Sequence, residues 1–148
     1  MAVGSNARLY PTDQVHYIRK VVTFEDDGTD VVVGTIPAEA IIIKAISGVN
    51  TTTAFDAGTT NTINVGYAAY VDGSGSDVSA DPDAFATLLD VSGTGYDNLD
   101  EAAADFYADA NKAGVTVTAG VVLTGTAATA GSAVVTIAYT VAQPGIAQ

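Results

Sequence analysis

Short runs of β-branched residues broken by turn chemistry constrain this chain more than any other feature. Near its end, Val135, Ile137, Tyr139 and Val141 alternate with Val134, Thr136, Ala138 and Thr140. Alternation of period two places successive side chains on opposite faces of a strand. Ile63, Val65 and Tyr67 alternate in the same way with Thr62, Asn64 and Gly66. Between such runs stand Gly, Asn and Asp, as in Glu25-Asp26-Asp27-Gly28 and Asp56-Ala57-Gly58. These residues tolerate the left-handed backbone that tight turns need. About eight strands follow from this punctuation.

The strands are expected over residues 15–24, 30–36, 40–49, 61–67, 115–119, 121–126 and 133–141, with a short extended stretch near 50–55. The Asp-Gly turn predicts that the first two form a hairpin. Residues 40–49 are apolar on both faces, with Ile41, Ile43 and Ala45 on one and Ile42, Lys44 and Ile46 on the other. Such a strand lies inside a sandwich or under a partner. Residues 71–83, rich in Gly, Ser and Asp, predict a long surface loop. Asp81 as N-cap and Pro82 at the first helical position predict a short helix over 82–90, and a second is expected over 99–110. The fold class is therefore all-β: a jelly roll or related antiparallel β-sandwich with one or two short helical inserts. The expected organisation is an arm (residues 1–14), one sandwich domain (15–143) and a tail (144–148), which suits a length of 148 residues.

Charge is the second constraint. Seventeen acids against five bases give a net charge of −12. Arg8, Arg19 and Lys20 outweigh Asp13 in the first twenty residues, whereas only Lys44 and Lys112 oppose the other sixteen acids. An acidic body of this kind repels nucleic acid and anionic lipid, and keeps a protein soluble at high copy number. Neither nucleic acid nor membrane is expected as a partner. Apolar runs such as Ala40-Ile41-Ile42-Ile43 are far too short to span a bilayer. The first residues have neither the basic nor the apolar region of a signal peptide, so use from the cytoplasm is expected.

Catalytic constellations are absent from the residue choice. With no cysteine and one histidine, His16, there is no thiolate chemistry and no multi-histidine metal site. His16 alternates with Val15 and Tyr17 and is expected to pack or to sit at an interface. There is no G-x-S-x-G elbow and no phosphate loop, and the carboxylates show no spacing that favours an acid–base pair. No enzyme activity and no cofactor are expected. The sequence Asp72-Gly73-Ser74-Gly75-Ser76-Asp77, with Asp81 and Asp83 nearby, offers weak calcium candidates, because hard oxygen ligands on a Gly loop suit that ion. The bland alternative is a solvated acidic loop, and no metal site is assigned. Seven tyrosines provide apolar area with a polar tip, suited to core edges and interfaces.

Val33-Gly34-Thr35-Ile36-Pro37-Ala38-Glu39-Ala40-Ile41-Ile42 resembles the "G-T-L-P-A-G-A" segment of small tailed-phage virion proteins. Thr53-Ala54-Phe55-Asp56 and Asn61-Thr62-Ile63-Asn64-Val65-Gly66 are similar to that group's "T-A-F-N" and "T-I-x-V-G" elements. Leu123-Thr124-Gly125 and residues 134–139 resemble its closing strands, while Glu39 departs from the usual Gly. The resemblance implies a capsid decoration, or cement, protein on the outside of the virion, assembled in the host cytoplasm. Its partners would be the major capsid protein and itself, as a homodimer or homotrimer. The capsid-contact arm would use Arg8, Tyr10, Arg19 and Lys20, and the oligomer interface Ile42, Ile46 and Tyr139. The alternative is a receptor- or glycan-binding knob of a phage tail or head fibre, using residues 72–83.

Overall fold

A computed structural model describes residues 14–38, 40–101 and 114–141. The expected arm with Arg8 and Tyr10, residue Glu39, most of the expected second helix and the tail lie outside these residues.

Among the described residues eleven strands appear in chain order: β1 His16–Thr23, β2 Asp30–Ile36, β3 Ala40–Ile42, β4 Gly48–Thr53, β5 Thr60–Tyr67, β6 Tyr70–Val71, β7 Asp77–Val78, β8 Asp81–Asp90, β9 Gly95–Asn98, β10 Val115–Thr124 and β11 Ser132–Val141. Two single 3-10 turns, Phe24–Asp26 and Lys44–Ile46, follow β1 and β3. One sheet runs β1-β11-β4-β9, with β3 also pairing β11. The other runs β2-β10-β5-β8, and β6-β7 form a separate ribbon. All these ladders are antiparallel. The result is the β-sandwich that the residue choice predicted.

The core lies between the two sheets. Val22, Ile42, Val49, Val135 and Ile137 come from the first sheet, and Ile36, Ile63, Val65, Phe85, Val115, Val117 and Val121 from the second. Phe55, Val91 and Leu99 join this core from connecting segments. Gly34 sits where β1 crosses β2: a Cβ there would lie 3.0 Å from the Cβ of Ile18. The missing side chain lets the sheets close at that point.

Several expectations about local structure need correction. The first two strands do not form a hairpin. β1 pairs β11 and β2 pairs β10, so the turn at 24–29 carries the chain from one sheet to the other. Residues 82–90 are not a helix but most of β8, which supplies the edge of the second sheet beside β5. The local preference of Ala, Leu and Pro yields there to ladder bonding and to burial of Ala84, Phe85, Ala86 and Leu89. Residues 40–49 are interrupted by the turn at Lys44–Ile46. Residues 115–124 form one strand that runs through Gly120, and the expected loop over 71–83 is largely the β6-β7 ribbon, which spans residues 70–78, followed by the start of β8. Of the expected second helix, Leu99 is buried and donates its N–H to Ser47 O at 3.2 Å, an extended rather than helical contact.

Candidate docking face

The outward residues of the five-stranded sheet can be read from its register. Opposite residues of an antiparallel pair share a face. Tyr17, Arg19 and Val21 oppose Ala138, Thr136 and Val134, and Val134 opposes Asn50, which opposes Tyr96. Ile41 opposes Thr140, and Ile46 overhangs the same side. None of these residues carries a carboxylate, although the chain has seventeen. Tyr17, Val21, Ile41, Ile46 and Tyr96, all exposed large hydrophobics, belong to this one face.

At its centre is an open groove of about 530 Å³, lined by Tyr17, Arg19, Ile46, Asn50, Tyr96, Val134 and Thr136. The Arg19 guanidinium lies 5.1 Å from the centre of the Tyr17 ring, within cation–π range. This fixes the cation on one wall. Tyr96 stands on the opposite wall, its hydroxyl over Gly48, where a Cβ would also strike the backbone of Asp97. Partial burial pushes the Tyr96 phenol pKa up.

Of the residues expected to contact a capsid, Arg19 and Lys20 are exposed on β1 and Arg19 enters the groove. The expected oligomer interface is corrected in part. Ile42 is only 3% exposed and belongs to the core. Tyr139 opposes Ile42 on the inner face, packs against the core and stacks on His16 with ring centres 5.5 Å apart. Only Ile46 faces outward, because the turn at Lys44–Ile46 breaks the alternation that a continuous strand would impose. Tyr17, Asn50, Tyr96, Val134 and Thr136 were not singled out for this face, and its one sequence signal is the run of outward positions without Asp or Glu.

The calcium candidates do not assemble. Among the described residues no three of His, Asp or Glu lie together as metal ligands. The Asp72 carboxylate instead accepts Ser74 N–H at 2.9 Å, the Ser74 hydroxyl at 2.6 Å and Ser76 N–H at 2.9 Å. The bond from the Ser74 hydroxyl contributes most to holding its pKa below the usual carboxylate value. Asp77 is exposed on the opposite strand of that ribbon. Asp81 is shifted the other way: burial raises its pKa, and the neighbouring Asp83 adds to the effect. No helix among the described residues is long and apolar enough to cross a membrane.

No protein-family model matches the chain, and no curated protein matches it. A solved structure does: a chain of the cyanophage Pam1 capsid asymmetric unit superposes with a TM-score of 0.56 at 18% identity, over 87% of this chain and 86% of that one. The two share a β-sandwich fold over nearly their whole lengths.

Proposed function

We propose that this protein is a structural component of a phage head that attaches to the outer surface of the assembled shell and stabilises it by bridging subunits. The observation that carries this reading is the fold shared almost end to end with a chain of a phage capsid. The segregation of charge supports it. Among the described residues the acidic groups lie in turns and connections, at the start of β2, in the β6-β7 ribbon, β8 and β9, and none stands on the outward face of the five-stranded sheet. Such a face is what burial against another chain requires. The role needs no chemistry at a reacting atom. A protein that binds only the assembled shell stabilises it by mass action.

The major capsid protein is the proposed partner, reached through the basic N-terminal twenty residues. Arg8 and Lys20 carry the charge that would meet an acidic shell surface.

The test is co-sedimentation of purified protein with shells that lack it, across salt concentrations. Saturable pelleting, a raised shell melting temperature, and weaker pelleting of an Arg8→Ser/Lys20→Ser variant are expected. Protein that stays in the supernatant at every concentration overturns the reading.

A further inference from the structure

The carboxylate-free face and the acidic ribbon are complementary surfaces of one molecule. Among the described residues, Arg19 is the only charged one in the groove. Two copies packed groove to groove would set Arg19 against Arg19, and among the described residues no outward one on that sheet face carries the charge to answer it. A symmetric pairing through this face would therefore bury cations without partners, which is costly. The matching carboxylate must come from a different surface of the occupant.

The β6-β7 ribbon is such a surface. Val71, 49% exposed, sits directly across from exposed Asp77, so one short ribbon offers an apolar side chain beside a free-standing charge. The tip, residues 73–77, is exposed throughout. Its shape is fixed from within by the three hydrogen bonds to Asp72. Its root is fixed by Tyr70, packed edge-on against Tyr67 at 5.5 Å. A preorganised ribbon loses little freedom on docking. Two-stranded ribbons are marginal on their own, and a neighbour that covers one supplies what it lacks. The exposed Val32 and Leu88 also lie near carboxylates, but on the strands of a broad sheet that cannot enter a groove.

We propose that the groove between Tyr17–Arg19 and Ile46–Tyr96 receives the β6-β7 ribbon of a second copy of this chain, with Asp77 against Arg19 and Val71 against Val134 and the tyrosines. The contact joins two different surfaces, so it propagates head to tail, and the proposed assembly is a ring, the form such a contact takes where the rotation between successive copies closes. The inference rests on the reading of the protein as a multi-copy component of a virion.

Light scattering of the purified protein over a concentration series tests it. The wild-type chain is expected to form a closed oligomer. Arg19→Glu and Asp77→Lys, both at exposed positions, are each expected to weaken self-association by about tenfold or more. The double variant, which swaps the two charges, should recover it. Raising salt to about 1 M should weaken the wild-type oligomer, because the pair lies in an open groove. Circular dichroism confirms that each variant is folded, and Asp77→Asn, which removes the charge alone, provides a milder second probe. A wild-type monomer at all concentrations overturns the proposal, as do single variants that keep the wild-type mass or a double variant that stays dissociated. Co-sedimentation of the same samples with shells separates the two readings. A monomer that pellets with shells leaves the shell role standing and removes the ring, whereas a ring that ignores shells does the reverse.

Discussion

The Ser47 hydroxyl accepts the backbone N–H of Ala138 at 2.9 Å and donates to the carbonyl of Ile43 at 2.8 Å. It does so at the point where β11 changes partner. Up to Thr136 that strand pairs with β4, and from Tyr139 onward with β3. Between them the ladder has a gap, and Ser47, fully buried, fills it with a side chain in place of a strand. Ser47→Ala would leave the Ala138 N–H buried and unpaired, at a cost of about 1–3 kcal/mol. Urea denaturation should show that loss in the midpoint with no change in slope.

Thr51 presents the opposite case. It points into the sandwich from β4, 3% exposed, and its hydroxyl has no hydrogen-bond partner. Valine has nearly the same shape and no hydroxyl to desolvate. Thr51→Val is therefore expected to stabilise the fold by about 1 kcal/mol. A thermal melt checks this, and a lower midpoint would mean that the hydroxyl is paired in solution.

Asp56 ties the β10–β11 connection to the β4–β5 connection. Its carboxylate accepts the Ala130 N–H at 3.0 Å and both the hydroxyl and the N–H of Thr129 at 2.7 Å. These bonds, the Ala130 N–H first, hold its pKa below the ordinary 3.8. Since the folded pKa lies below the unfolded one, the stabilisation is complete above the unfolded value. It is lost as the pH falls through the folded value. Asp72 and Asp90 are lowered in the same direction and act in the same acid range. The clean measurement is thus the stability of wild type minus that of Asp56→Asn, in which those two cancel. That difference should be constant from neutral pH to about pH 4 and shrink below it. A difference that grows on acidification would contradict the assignment.

What could be read from the sequence and what could not divide along a physical line. Residues 61–67 and 133–141 alternate strictly, and each became a strand within a residue of the expected bounds. Residues 30–36 did so too. Pairing was not legible, because the Asp-Gly signal at 27–28 specifies a reversal of direction and not the sheet in which the chain continues. Residues 82–90 lack β-branched side chains apart from Thr87, so local preference pointed to a helix. The open edge of β5 settled the matter, and that edge exists only in three dimensions. The same limit applies to the docking face. Arg19 and Ile46 stood out in the sequence, but Tyr96 joins them across four strands of a sheet whose order no local pattern encodes.

Leu88 shows where the edge strand departs from regularity. Ile63 pairs with Leu89 and Val65 with Ala86, so Thr87 and Leu88 together face the single residue Asn64. This is a bulge, a device that twists an edge strand and discourages pairing with another chain. Leu88 adopts φ 52°, a left-handed backbone that L-residues avoid, and is 57% exposed, so little packing offsets the strain. The bulge is held by the Leu88 N–H, which donates to the Asn64 side-chain oxygen at 2.7 Å. Asparagine tolerates this conformation better than leucine does, and Leu88→Asn is expected to raise stability by about 1 kcal/mol. Asn64→Ala should lower it by removing the acceptor. If the bulge also guards the edge, Leu88→Asn will leave the solution mass unchanged, whereas Asn64→Ala will increase aggregation on heating. Denaturation curves and light scattering on the two variants read both effects, and a destabilised Leu88→Asn would show that the leucine side chain contributes more by packing than its backbone costs.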